Sequence, residues 1–306
     1  MIHICLSSDA NYVSLTKMCI YDIVVRKYPD TEITFYILVD KIPDKRAFDL
    51  FNKIDRITCI TIQLDSDIIV PEIDTSRLVY TRPGLPRTMY LRFLIPTLKE
   101  FQDVDRVLYI DPDMLARRDV SELYHTDLCD KALGMTKDSF YIRFPNWNQI
   151  LSMHGSGYNA GLILMELPKL RELNFTTRCL NISKEHSYND QAAINAAMKD
   201  VIYPLLPTAQ FPIHNLIQHI SGMNELDKWN EFHHTQYQHW SDILDHLVFY
   251  HFHEDKSWQM QMPVLRALWD FSKARLERFE ETGVVEPIGD HDRLIDKSLF
   301  AQCDFR

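Results

Sequence analysis

No CxxC pair occurs in this 306-residue chain; its six cysteines (Cys5, Cys19, Cys59, Cys129, Cys179 and Cys303) are scattered along its length. That spacing excludes a zinc knuckle and a compact disulfide framework, and it fits a reducing compartment. Positive charge is in deficit: 33 Lys and Arg stand against 43 Asp and Glu, a formal net charge of −10. Such a balance opposes non-specific binding to a nucleic-acid backbone, and no nucleic-acid partner is expected. Long apolar runs are missing too. No window approaches the roughly 20 apolar residues of a membrane-spanning helix, so membrane association is expected to be peripheral at most. The opening Met1-Ile2-His3-Ile4-Cys5-Leu6 is too short an apolar run for a signal peptide and has no basic stretch before it. It reads as a first strand, and a cytoplasmic location is expected. There is no internal repeat and no low-complexity tract.

What is present is an alternation. Residues 2–7, 32–39, 57–64 and 106–110 have the β-branched and aromatic make-up of strands, and the pattern recurs at 131–136 and 159–167. Between them, 13–28 reads as an amphipathic helix stopped by Pro29, 43–55 as a polar-apolar helix, and 88–100 as a helix that Pro96 kinks or shortens. Residues 188–199 are rich in helix formers behind Asn189 or Asp190 as N-cap candidates. This order predicts βαβ units, hence an α/β fold with a mixed, mostly parallel sheet flanked by helices. His233, His234, His239, His246, His251 and His253 crowd one later stretch, most of them without a recognised zinc spacing and so read as surface or structural residues. Over 263–281, apolar Val264, Leu265, Leu268, Trp269, Phe271, Leu276 and Phe279 recur at helical spacing among charges of both signs. A helix packing back on the domain is predicted there. The expected division is one domain over residues 1–260 and a small helical tail over 261–306.

The segment Val107-Leu108-Tyr109-Ile110-Asp111-Pro112-Asp113-Met114-Leu115 is a strand-like run ending in two carboxylates one residue apart. On an extended backbone, side chains at i and i+2 share a side and are offset by about 6.5 to 7 Å, so one cation can engage both. Pro112 holds its own φ and biases Asp111 toward extended conformations. The C-terminal edge of a strand is also where open α/β sheets place ligands. A solvated turn after a strand would use the same residue types.

Other segments fall in a definite order around that one. Ser7-Ser8-Asp9-Ala10-Asn11-Tyr12 follows the first strand, and Thr88-Met89-Tyr90-Leu91-Arg92-Phe93 carries a Y-x-R. After Asp111-Pro112-Asp113, a D-x-D, come Tyr158-Asn159-Ala160-Gly161, Asn189-Asp190-Gln191 and finally His251-Phe252-His253-Glu254-Asp255-Lys256-Ser257-Trp258. Together they resemble the retaining glycosyltransferases of family 8, the group containing glycogenin and the bacterial lipopolysaccharide glucosyl- and galactosyltransferases. The resemblance implies a GT-A fold over about residues 1 to 260. It places Ser7, Asp9, Asn11 and Tyr12 at the nucleoside, Asp9 and Asn11 bonding base or ribose and Tyr12 stacking on uracil. Arg92 would reach the donor phosphate or sugar. Asp111, Pro112 and Asp113 would hold Mn²⁺ or Mg²⁺ and, through it, the diphosphate, with His251 as third metal ligand and Lys256 as a phosphate clamp. Asn159, Ala160 and Asp190 would contact the donor sugar and Gln191 would lie near the anomeric carbon, which makes Gln191 and Asp190 the implied catalytic residues. Taken singly, Asp9 and Asn11 are also ordinary helix caps, and an arginine on a helix is ordinarily a solvated one.

The last segment departs from the family's H-[FY]-x-G-x-x-K-P-W: the His251 to Lys256 gap is one residue shorter, the glycine is absent and Ser257 stands in place of proline. His253 is therefore a rival to His251. The implied reaction moves galactose or glucose from a UDP-hexose to a glycan or glycolipid acceptor with retention, as in bacterial lipopolysaccharide or surface-polysaccharide synthesis. Its divalent cation neutralises charge on the departing diphosphate as a Lewis acid, an effect of several kcal/mol, and hard oxygen ligands select Mn²⁺ or Mg²⁺. Two other classes share some of these residues: a haloacid-dehalogenase-like phosphatase, which also sets D-x-D after a strand, and a sugar-nucleotide-binding protein without activity.

Overall fold

The chain builds strands β1 (Ile2–Asp9), β2 (Ile33–Asp40), β3 (Ile57–Leu64), β4 (Arg106–Ile110), β5 (Met114–Ala116), β6 (Leu133–Lys137), β7 (Tyr158–Glu166), β8 (Ile202–Leu205), β9 (Gln210–Pro212) and β10 (Phe249–His251). Helices α1 (Val13–Arg26), α2 (Leu167–Glu172), α3 (Phe175–His186), α4 (Asp190–Met198), α5 (Leu226–His233), α6 (Trp240–Leu244) and α7 (Pro263–Thr282) lie among them. These elements come from a computed structural model, which describes residues 1–42, 44–70, 73–74, 76, 86–139, 142, 157–212, 226–252 and 263–288. Seven strands make one sheet in the order β3-β2-β1-β4-β7-β6-β8. Only β7 runs against its neighbours β4 and β6; the remaining pairings are parallel. Alternate residues of the strands feed two separate cores. Ile4 and Leu6, Phe35 and Ile37, Leu108 and Ile110, and Leu162 and Leu164 point to one; Cys5, Tyr36 and Leu38, Val107 and Tyr109, and Ile163 and Met165 point to the other. A sheet covered on both faces needs strands that are apolar throughout, which is why they read as continuous hydrophobic runs.

α1 and α7 cover the first face. Phe279 of α7 stacks on Tyr21 of α1 at 5.1 Å and on Phe51 at 5.7 Å between ring centroids, while Lys17 bonds Glu280 at 2.7 Å. The helix predicted over 263–281 thus packs back on the sheet layer. Among the described residues, no helix is long and apolar enough to cross a membrane.

Two predicted helices differ. Over 43–55 the structure has only a short 3₁₀ turn, Asp49–Lys53, with Pro43 outside the described residues. Phe48 and Phe51 are buried, and the Asn52 side chain docks on edge strand β3, accepting from Cys59 N–H at 2.6 Å and donating to Cys59 O at 3.3 Å. A short isolated helix has little stability of its own, so covering the sheet edge prevails. Residues 88–100 wind as 3₁₀ turns, Arg87–Thr97 and Lys99–Phe101, with Leu98 extended between them. Pro96 has no N–H for the α-helical bond, and Arg92 Nε donates to Met89 O. A 3₁₀ run of this length is uncommon and accompanies local constraint. The structure also adds a second sheet of three short strands, β5-β10-β9, of which the sequence pattern shows β10 in the strand-like Leu247-Val248-Phe249-Tyr250 but not the pairing that makes the sheet.

Candidate active site

β1 is flanked by β2 on one side and β4 on the other, so the chain order reverses there, and parallel sheets bind ligands beyond the C-terminal strand ends at such a switch point. A cavity of about 240 Å³ opens at that place. Ser7 and Asp9 line it from the end of β1, Tyr12 from the start of α1, Arg92 from the 3₁₀ run, Asp111, Pro112 and Asp113 from the turn after β4, Asn159 and Ala160 from β7, Asp190 and Gln191 from the first turn of α4, and His251 from the end of β10. Asn11 faces an adjoining groove instead, beside Lys41 and Arg87. His253 and Lys256 lie outside the described residues.

Asp111, Asp113 and His251 offer ligand atoms that lie within 4.8 Å of one another. The backbone turns at Pro112 and Asp113 instead of continuing extended. The carboxylates therefore converge through a different route from simple i, i+2 alternation. β5 begins directly after Asp113 and pairs antiparallel with β10, setting Met114 opposite His251, while Phe252 N–H donates to Asp113 O at 2.9 Å. Asp111 N–H donates to Gly161 O at 2.7 Å. Gly161 also makes room for the imidazole: a Cβ there would stand 2.3 Å from His251 Cε1. His251 Nε2 lies 3.5 Å from Asp113 Oδ1. Burial pushes the Asp111 carboxyl up to about 6, with Asp113 adding to the rise and Arg92 opposing it. A half-buried and a buried carboxylate beside one imidazole, with burial chiefly responsible for raising the Asp111 pKa, are a donor set that suits a hard divalent cation.

Arg92 is 5 % exposed, so it is no solvated helix residue. Its Nη2 donates to Asp111 Oδ1 at 2.9 Å, its Nε lies 3.0 Å from Asp190 Oδ2, and its Nη1 donates to Ala160 O at 2.6 Å. The guanidinium carbon sits 4.4 Å from the Tyr109 ring centroid, and Tyr109 O–H donates to the same Asp111 oxygen at 2.9 Å. Gln191 is held at both ends of its amide: Oε1 accepts from Ala160 N–H at 3.1 Å and Nε2 donates to Asp138 Oδ2 at 2.8 Å. Asn159 Oδ1 accepts from Gly161 N–H at 2.9 Å. Asn189 caps α4, its side chain accepting from Ala192 N–H at 2.8 Å, which orients Asp190 and Gln191 in the first turn. Asp9 Oδ1 accepts from Asn11 N–H at 2.8 Å and Tyr12 N–H at 3.2 Å, so it shapes the turn into α1 as well as facing the cavity. Asp138 and Tyr109 were not singled out in the sequence. Asp138 does sit just past a predicted strand, the same placement that drew attention to Asp111.

The architecture is that of the GT-A glycosyltransferases. The fold matches the crystal structure of galactosyltransferase LgtC in complex with donor and acceptor sugar analogs with a TM-score of 0.67, at 21 % identity, over 96 % of this chain and 100 % of that one. Glycosyl transferase family 8 matches residues 3–260, and the chain belongs to that family. It is 24 % identical over 217 residues to general stress protein A of Bacillus subtilis (strain 168), covering 68 % of this chain and 72 % of that protein. It is 27 % identical over 199 residues to the lipopolysaccharide 1,2-glucosyltransferase of Escherichia coli (strain K12), covering 62 % of this chain and 56 % of that protein, less than two thirds of its length. Transfer of a sugar is the chemistry of this family, and the phosphatase alternative falls away.

Proposed function

We propose that the protein transfers galactose or glucose from a UDP-hexose to a glycan or glycolipid acceptor, with Mn²⁺ or Mg²⁺ and with retention, in bacterial lipopolysaccharide or surface-polysaccharide synthesis. The observation that carries this reading is the convergence of Asp111, Asp113 and His251 within 4.8 Å at the switch point of the sheet. In this reading those three residues hold the cation, which supplies Lewis-acid neutralisation of the departing diphosphate. Ser7, Asp9, Asn11 and Tyr12 receive the nucleoside, and Lys256 the phosphates. Asn159, Ala160, Asp190 and Gln191 face the sugar. Arg92, paired with Asp111 and Asp190, lends its charge to the donor. Asp190 pairs with Arg92, and both ends of the Gln191 amide are engaged. Both are held to orient or stabilise the donor and need not attack it, with the acceptor proton passing to the leaving phosphate in a front-face displacement. Residues 1–260 form the transferase unit and 261–306 a helical tail; the protein works in the cytoplasm, with at most peripheral contact with the membrane.

UDP release from UDP-glucose and UDP-galactose, measured with Mn²⁺, with Mg²⁺ and with EDTA, tests the proposal. Metal-dependent release from one donor is expected, with Asp113→Ala reducing it about 10³-fold, the equivalent of several kcal/mol of transition-state stabilisation. Near-wild-type turnover in Asp113→Ala overturns the metal assignment. No release from either donor in the presence of glycan acceptors points to a different nucleotide sugar or to a binding role.

A further inference from the structure

Behind His251, on the side away from the carboxylates, lies Gln210. The residue is 1 % exposed, and its Oε1 is 3.0 Å from His251 Nδ1. β9 and β10 pair in parallel, Gln210 opposite Phe249 and Pro212 opposite His251, so the backbone ladder sets this approach. With the amide oxygen of Gln210, which can only accept, turned toward the ring, the contact sets the ring proton on Nδ1. Nε2 then carries a lone pair, and Nε2 is the nitrogen that faces Asp113 Oδ1 at 3.5 Å. The opposite tautomer would aim an N–H at the carboxylates and leave no imidazole lone pair for a cation. Gly161, against which the ring is packed, permits this ring position and no Cβ.

We propose that Gln210 is a positioning residue: its side-chain carbonyl holds His251 as the Nδ1–H tautomer in one ring orientation, so that Nε2 joins Asp111 and Asp113 in binding a divalent cation. The proposal rests on the metal reading above and adds to it a residue from the three-stranded sheet that no motif marked. Partners of this kind, bonded to the far nitrogen of a ligand histidine, typically change metal affinity by about 10- to 100-fold.

Calorimetric titration of the full chain with Mn²⁺ alone, for the native protein, Gln210→Leu and Gln210→Glu, reads the affinity without turnover. Gln210→Leu is expected to bind Mn²⁺ about 10- to 100-fold more weakly, and Gln210→Glu, which keeps an acceptor at the same place, to restore binding. ¹⁵N NMR of histidine-labelled native protein, metal-free and at a pH where the ring is neutral, reads the tautomer directly and decides the matter even if Gln210→Leu fails to fold. Nδ1–H for His251 supports the proposal; Nε2–H overturns it. Unchanged affinity in a folded Gln210→Leu, with the native protein binding Mn²⁺, overturns the role of Gln210 alone. Absence of Mn²⁺ binding by the native protein overturns the metal reading instead.

Discussion

Arg92 shows how much of this site depends on a single buried charge. Removing one partner of a buried ion pair leaves the other without compensation, at a cost of about 3–5 kcal/mol. Arg92→Met would strand both Asp111 and Asp190, so a fall of about 3–5 kcal/mol in unfolding free energy is expected from urea denaturation. Arg92→Lys should recover little of it, because an ammonium cannot span two carboxylates and a carbonyl as the planar guanidinium does. A Lys variant as stable as the native chain would count against this account. The motif order was enough to mark Arg92 as a site residue. Its burial was not legible, since an arginine in a helix-like segment gives the same local pattern whether it faces water or a carboxylate. Asp138 was passed over for a related reason: nothing local shows that its carboxylate meets Gln191, 53 residues away.

At the scale of elements, the long strands were legible and the short connections were not. β1, β2, β3 and β7 carry eight or nine residues each, enough for composition to identify them. β5, β9 and β10 have three residues each, and only β10 falls at the end of a strand-like run, 247–250, yet together they bring Asp113, Gln210 and His251 into one place. The 43–55 segment failed as a helix because docking on β3 outweighs its propensity. Asn52→Ala tests that view by taking both partners from the edge groups of Cys59. It is expected to lower stability by about 1 kcal/mol, seen as a shift in urea midpoint at constant slope. An unchanged midpoint would show that water serves the edge equally well.

For the whole molecule, the relevant ledger is charge against burial. His233, its ring tilted against Trp229 with centroids 4.2 Å apart, has its pKa pushed down to about 3 from 6.5, first by burial and then by the neighbouring charges of Lys137 and His234. The folded-state value lies below the unfolded one, so the neutral ring contributes stability above about 6.5, and that contribution is lost as pH falls toward 3. His233→Gln should therefore flatten the acid limb of the stability curve. The native chain is expected to lose about 1–3 kcal/mol more than the variant between pH 7 and pH 4, allowing for partial exposure of the ring. Parallel acid limbs in urea titrations would reject this role.

The amino-acid sequence by itself determined the α/β class, the positions of the long strands, the family and the place of the D-x-D, because these rest on local composition and on the order of short motifs. Tertiary structure alone decided which of those residues meet. Arg92 reaches Asp111 and Ala160, the latter 68 residues away, and Gln210 reaches His251 across 41 residues. Such encounters depend on strand register and on the reversal of chain order at β1, and neither leaves a mark on the periodicity of the segments involved.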